Sequence, residues 1–129
     1  MVVIFLIGRV ILGLFFIYSA YNHFSKIAST AGYAASKGVV APQAAVILTG
    51  VLLLVGGVSV LLGLYPVVGL TCLVAFFIPV TFLMHSFWTD TDPNVRMMNM
   101  VNFTKNLALL GALLMMYIIP KPWPMSLVK

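Results

Sequence analysis

Four stretches of the chain run for about 20 residues each with scarcely a charge, the length a helix needs to cross a bilayer. They cover residues 2–22, 42–64, 66–87 and 102–119. Backbone polar groups cannot be left unpaired in hydrocarbon, so each run is expected to be a helix that satisfies its own N–H and C=O groups. The pattern predicts an all-α, integral membrane four-helix bundle, with residues 1–129 as a single transmembrane domain.

Polar and turn-forming residues mark the connections. Tyr65 and Pro66 separate the second and third runs by almost nothing, which predicts a tight antiparallel hairpin with the proline in the first helical turn. Between Lys26 and Lys37 a small-residue and aromatic stretch suggests a short interfacial helix that ends at Gly38. Asp92 followed by Pro93 is a cap and first-turn pair, so the fourth helix is expected to begin there, ahead of its apolar run. Beyond residue 120 the prolines break the tail, and Trp123 is expected at the membrane interface. Arg9 inside the first run argues against a cleaved signal peptide and for a retained helix.

Composition sharpens the class. Hydrophobic residues make up 63% of the chain and charged residues 7%, against about 25% charged in a soluble domain. The net charge of +5 sits at the ends of apolar runs, where anionic headgroups attract cations, and does not point to nucleic acid. Lysine and arginine nearly balance between the two faces, so their distribution leaves the orientation open. With one cysteine, Cys72, a disulfide or a cysteine-based metal cluster within one chain is excluded. Small residues recur at Thr49, Gly56 and Gly63, at Ser59 and Gly63, and at Ala108, Gly111 and Ala112, as stripes expected to bring helices close. Pro79 is expected to free the Ala75 carbonyl and bend the third helix.

Antiparallel spans place the end of the first, the start of the second, the end of the third and the start of the fourth at one membrane face. Polar residues concentrate there. Asn22 and His23 share a helical face with Ser19 and Lys26; Thr81, His85 and Trp88 share another; Asn102, Lys105 and Asn106 share a third. A lysine and two asparagines at the mouth of an apolar run are costly in hydrocarbon. They read as one wall of a polar, aromatic-lined pocket, against the plainer reading that Lys105 snorkels to phosphate and the asparagines hold helices together. The opposite face offers little besides Arg9. Being about 21 Å along the helix from His23, it cannot share that site and is expected to snorkel or pair with helix carbonyls.

Three blocks, "GRVILGLFFIYSAYNHFSK", "LLLVGGVSVLLGLYP" and "HSFWTD…FTKNLALLGALL", occur in an order that resembles the DoxX family of small four-helix membrane proteins. The resemblance implies a four-helix bundle. In some members it also implies the role of small membrane subunit of a thiosulfate:quinone oxidoreductase; others are linked to thiol and oxidative-stress defence or to membrane chaperones. Two departures stand out. Where many relatives carry a Gly-x-x-Lys pattern this chain has Ala20 to His23, with its lysine at Lys26. Where many carry a glutamate before the paired glycines it has Leu53, which leaves the bundle without an acidic proton relay and Lys105 without a counter-ion.

A quinone needs a hydrogen-bond partner for each oxygen and apolar or aromatic walls. His85 is the candidate proton partner, Lys105 and Asn106 the donors and Trp88 a wall, with Asn22, His23 and Asn102 completing the ligand-binding set. Haem held between His23 and His85, and copper on the methionines, fit less well: the histidines lie at the interface and the methionines at packing positions. No metal site is expected, and quinone is the one non-covalent cofactor implied. The chain lacks a cysteine pair, a dinucleotide fold and a metal cluster, so it can hold a substrate but needs a partner to move electrons. It is therefore expected in the cell membrane as a multi-pass protein among lipid and other subunits. Its expected role is as subunit of a quinone-linked oxidoreductase, sulfur-linked ones included, or alternatively as a non-catalytic accessory subunit packed in a larger complex.

Overall fold

The computed structural model describes residues 1–127, and the last two residues of the tail lie outside it. Five α-helices and one 3₁₀ turn follow each other: α1 (Val2–Ser25), α2 (Ile27–Ser36), α3 (Pro42–Leu62), α4 (Pro66–Leu83), the 3₁₀ turn (Phe87–Thr89) and α5 (Pro93–Met116). Three segments are long and apolar enough to cross a membrane: α1, α3, and α4 with its extension to Thr89. α5 matches α1 in length, but Arg96, Asn99, Asn102, Lys105 and Asn106 make it polar from its first turn to past its middle.

Local chemistry sets the boundaries. α2 ends where Gly38 takes a left-handed φ of 83°, and α3 ends on Gly63 with φ 72°, a conformation glycine adopts without steric cost. The hairpin turns through Tyr65, with Pro66 opening α4, while the Ser59 hydroxyl sits against the carbonyls of Leu64 and Tyr65. Asp92 caps α5 by accepting from the Asn94 amide at 2.9 Å. The first helix continues three residues past its expected end. The third gives way after Leu83 to a turn that reverses the chain towards α5.

α3 is the central helix, packed against α1 on one side and α4 on the other, and α5 lies against α4 and the 3₁₀ turn. Glycines set the closeness of these crossings. A Cβ on Gly13 would lie 2.7 Å from Leu61 Cβ, and one on Gly57 would lie 3.0 Å from Phe16 and Ile17. Gly56 and Gly69 do the same between α3 and α4, against Leu73 and Ser59. The expected stripe on the fourth helix behaves differently. Ala108, Gly111 and Ala112 are exposed, and a Cβ on Gly111 would meet nothing within 4 Å. No Cα of α5 comes within 8 Å of α1, and that exposed stripe does not pack against another helix among the described residues.

The core runs through Phe16, Leu53, Leu70, Phe77 and Leu113. Trp123 belongs to it too, which corrects the expectation of an interfacial aromatic: it is 1% exposed and meets Phe5 edge-on at 5.6 Å. The tail folds back because Arg9 holds it. The guanidinium donates from Nε to the Val60 carbonyl at 3.1 Å, from Nη2 to the Leu61 carbonyl at 3.0 Å, and from Nη1 to the Pro124 carbonyl. Arg9 therefore pairs with helix carbonyls, caps the C-terminal turn of α3 and clamps the tail beside it.

Candidate functional site

Because α5 stays away from α1, a cavity of about 350 Å³ opens beside α3, with walls from all five helices. Its apolar walls come from α1, α3 and α4, with Phe16, Leu53, Phe76, Phe77 and Pro79 among them. Its polar lining gathers towards the face the sequence singled out. Ser19 and His23 come from α1, Thr30 from α2, Thr49 from α3, His85 from the turn after α4, and Lys105 and Asn106 from α5. Leu53 forms part of the apolar wall.

Of the expected site residues, His23, His85, Lys105 and Asn106 line the cavity and three do not. Trp88 is 51% exposed and packs edge-on against Phe87 and Phe103, at 5.3 and 5.6 Å. The 3₁₀ turn breaks the helical register that would have put it in line with Thr81 and His85. Asn102 and Asn22 are half-buried but outside the lining.

Asn106 is 6% exposed, and its amide has no hydrogen-bond partner among the described residues. The fully enclosed side-chain atoms without a partner among the described residues are Thr81 Oγ1 and Trp123 Nε1, whereas the Asn106 amide remains accessible on the cavity wall. Lys105 lines the mouth with its side chain still open to the surroundings. Among the described residues no carboxylate pairs with it, the one ion pair being Lys37–Asp90 at 2.8 Å.

That pair belongs to a network that pattern-reading along the chain missed. Lys37 also donates to Thr89 at 3.2 Å. The other Asp90 oxygen accepts from the Asn99 amide nitrogen at 2.7 Å, and the same nitrogen donates to the Tyr33 hydroxyl at 2.8 Å. The Asn99 oxygen faces His85 Nδ1 at 3.2 Å, and Tyr33 donates onward to the Met84 carbonyl at 3.2 Å. The Asn99 amide, and next to it the Lys37 ammonium, hold the Asp90 carboxyl below the ordinary carboxylate range. Asn99 itself is 1% exposed. One signal was available: Asn99, Asn102 and Asn106 lie in a helical row, with spacings of three and four.

A helical membrane scaffold with an amphipathic cavity at one end defines a class of small integral membrane proteins. The DoxX family model matches residues 4–86, more than half of the chain, and the chain belongs to the DoxX family. The match takes in α1 to α4 and His85, while Trp88, Lys105 and Asn106 lie beyond it. Comparisons with curated proteins and with solved structures return no match.

Proposed function

We propose that the chain is a multi-pass subunit of the cell membrane, with α5 as its fourth span, that holds a quinone-type ligand for a partner oxidoreductase. The observation that carries this reading is Asn106: a residue only 6% exposed whose amide stays accessible and has no partner among the described residues, on the wall of a cavity that is otherwise largely aromatic and aliphatic. An aromatic ring with polar oxygens fits such a space. Its carbon skeleton would lie against Phe76 and Phe77, and its oxygens would meet Asn106, Lys105 and the histidines. Membership of the family supports the link to quinone chemistry, and thiosulfate or another sulfur compound as electron donor rests on that likeness alone. The chain would contribute the binding site; the electron-transferring centre would belong to the partner.

Purification from the native membrane in mild detergent, followed by extraction and mass spectrometry of bound lipids and co-purifying chains, tests the proposal. Near-stoichiometric quinone that is lost in Asn106→Leu and Lys105→Met is the expected result. Partner chains without quinone, unaffected by either substitution, would instead establish the second reading, a non-catalytic accessory subunit. That reading has one observation of its own, the exposed Ala108, Gly111 and Ala112 stripe on α5.

A further inference from the structure

Both histidines in the cavity wall have their Nδ1 atoms committed, and the commitments fix which ring nitrogen carries the proton. His23 Nδ1 lies 2.9 Å from the Ser19 carbonyl. A carbonyl only accepts, so His23 Nδ1 is the donor and Nε2 of the neutral ring carries a lone pair. His85 reaches the same state through a longer chain. The Asp90 carboxylate can only accept, so the Asn99 group 2.7 Å from it is the NH₂. Tyr33 imposes the same orientation: its single proton goes to the Met84 carbonyl, so its oxygen accepts from Asn99. With both amide hydrogens used, Asn99 presents its oxygen to His85, and His85 Nδ1 must donate. Neither Nε2 has a hydrogen-bond partner among the described residues.

We infer that Asp90, Tyr33 and Asn99 are positioning residues that lock His85 as the Nδ1–H tautomer, so that the cavity offers imidazole acceptors beside the Asn106 and Lys105 donors and selects a hydroxyl-bearing ring, a hydroquinone, over the corresponding quinone. The choice of ligand rests on the quinone reading above; the tautomer does not. A quinone carries acceptors only and would set a carbonyl oxygen against an Nε2 lone pair. A hydroquinone donates an O–H to Nε2, and its oxygens still accept from Asn106 and Lys105. A site with a fixed acceptor discriminates strongly against a ligand that lacks the matching donor, because the mismatch leaves buried polar groups unpaired.

The experiment has two measurements on the full chain in lipid nanodiscs. Imidazole ¹⁵N NMR of histidine-labelled protein reads the tautomer directly, with the two rings assigned through His23→Gln. The expected signature for His85 is a protonated Nδ1 and a bare Nε2, giving way in Asn99→Leu to a mixture of tautomers. A protonated Nε2 in the unsubstituted protein, or no change in Asn99→Leu, overturns the lock. Binding of decyl-benzohydroquinone and of decyl-benzoquinone is then compared under anaerobic conditions. We expect the hydroquinone to bind about tenfold tighter or more, the equivalent of one unmatched buried hydrogen bond. Equal affinity, or preference for the quinone, overturns the selectivity and leaves the quinone reading standing. If neither binds, both fall. The unsubstituted protein alone decides the tautomer and the preference, so neither result depends on Asn99→Leu folding.

Discussion

Arg9 and Asn106, at the two ends of this molecule, differ in how their side chains are paired. At one end Arg9, 2% exposed, has hydrogen bonds to three carbonyls that tie α1 to the last turn of α3 and to the tail. At the other, Asn106 is almost as buried and has none among the described residues. Taken as bare sequence, both are costly residues near hydrocarbon, and both qualify as functional candidates. What separates them is satisfaction: a charge with each of its three nitrogens bonded to a carbonyl closes a structure, and an accessible donor left without a partner keeps a place for something else.

The largest effect should come from breaking the closed end. Arg9→Met removes hydrogen bonds worth about 1.5–3 kcal/mol each where the donor is charged, and leaves buried carbonyls without partners. We expect a loss of about 3 kcal/mol or more, seen as a lower unfolding temperature in detergent and as a red shift of tryptophan fluorescence once the tail is released and Trp123, 1% exposed in the fold, leaves the core. Ligand binding by the fraction still folded should be unchanged. A variant as stable as the parent would show that the clamp is dispensable and would remove the contrast.

The next effect separates glycines that bring helices together from one that does not. Gly13→Val places new atoms against the backbone of Leu61, within 2.9 Å of its Cα and N even at Cβ. Overpacking of this kind costs about 1–3 kcal/mol. Gly111→Ala meets nothing within 4 Å and should stabilise α5 by up to about 1 kcal/mol through helix propensity. Thermal melts of the two variants in one detergent give the comparison. A Gly111→Ala variant that is destabilised only in native membranes would place another chain against that face.

The closed end and the cavity differed in how far they could be read in advance. Apolar runs, the Asp92–Pro93 cap, the Gly38 stop and the Tyr65 hairpin depend on neighbours in sequence, and the structure has each of them. His23, His85, Lys105 and Asn106 were legible as one site because antiparallel helices bring their ends together in a predictable way. Trp88 and Trp123 were not, since one turns outward on a 3₁₀ turn and the other is drawn inward by a tail that Arg9 holds. Nor was the Tyr33–Asp90–Asn99 network. Its contacts join a surface helix, a turn and the start of α5 across up to 66 residues, and no periodicity records such pairings.

At the open end the corresponding change removes the Asn106 amide. Asn106→Leu replaces a buried amide with an apolar side chain of similar size, so stability should hold or rise by about 1 kcal/mol, the reverse of Arg9→Met. Affinity for the hydroquinone should fall about tenfold, the equivalent of one hydrogen bond. Equilibrium dialysis beside a thermal melt reads both. A destabilised variant with unchanged affinity would make Asn106 a structural residue like Arg9.

The smallest effect concerns pH. Asn99 and Lys37 depress the Asp90 carboxyl, so the favourable interactions of its ionised form are fully present above the unfolded value, about 3.9. They are lost only as pH falls through the lower folded value. Between about pH 8 and about pH 5 Asp90 should therefore stay ionised, Asn99 should keep its orientation, and any change in the His85 spectrum should come from His85 itself. A ¹³C titration of the aspartate carboxyls, assigned through Asp92→Asn, would show Asp90 with a midpoint below the ordinary carboxylate value and Asn99→Leu moving that midpoint up. An Asp90 that titrates at or above the ordinary value would mean that Asn99 is not held by a carboxylate, and the His85 proton would then lose one of its two constraints.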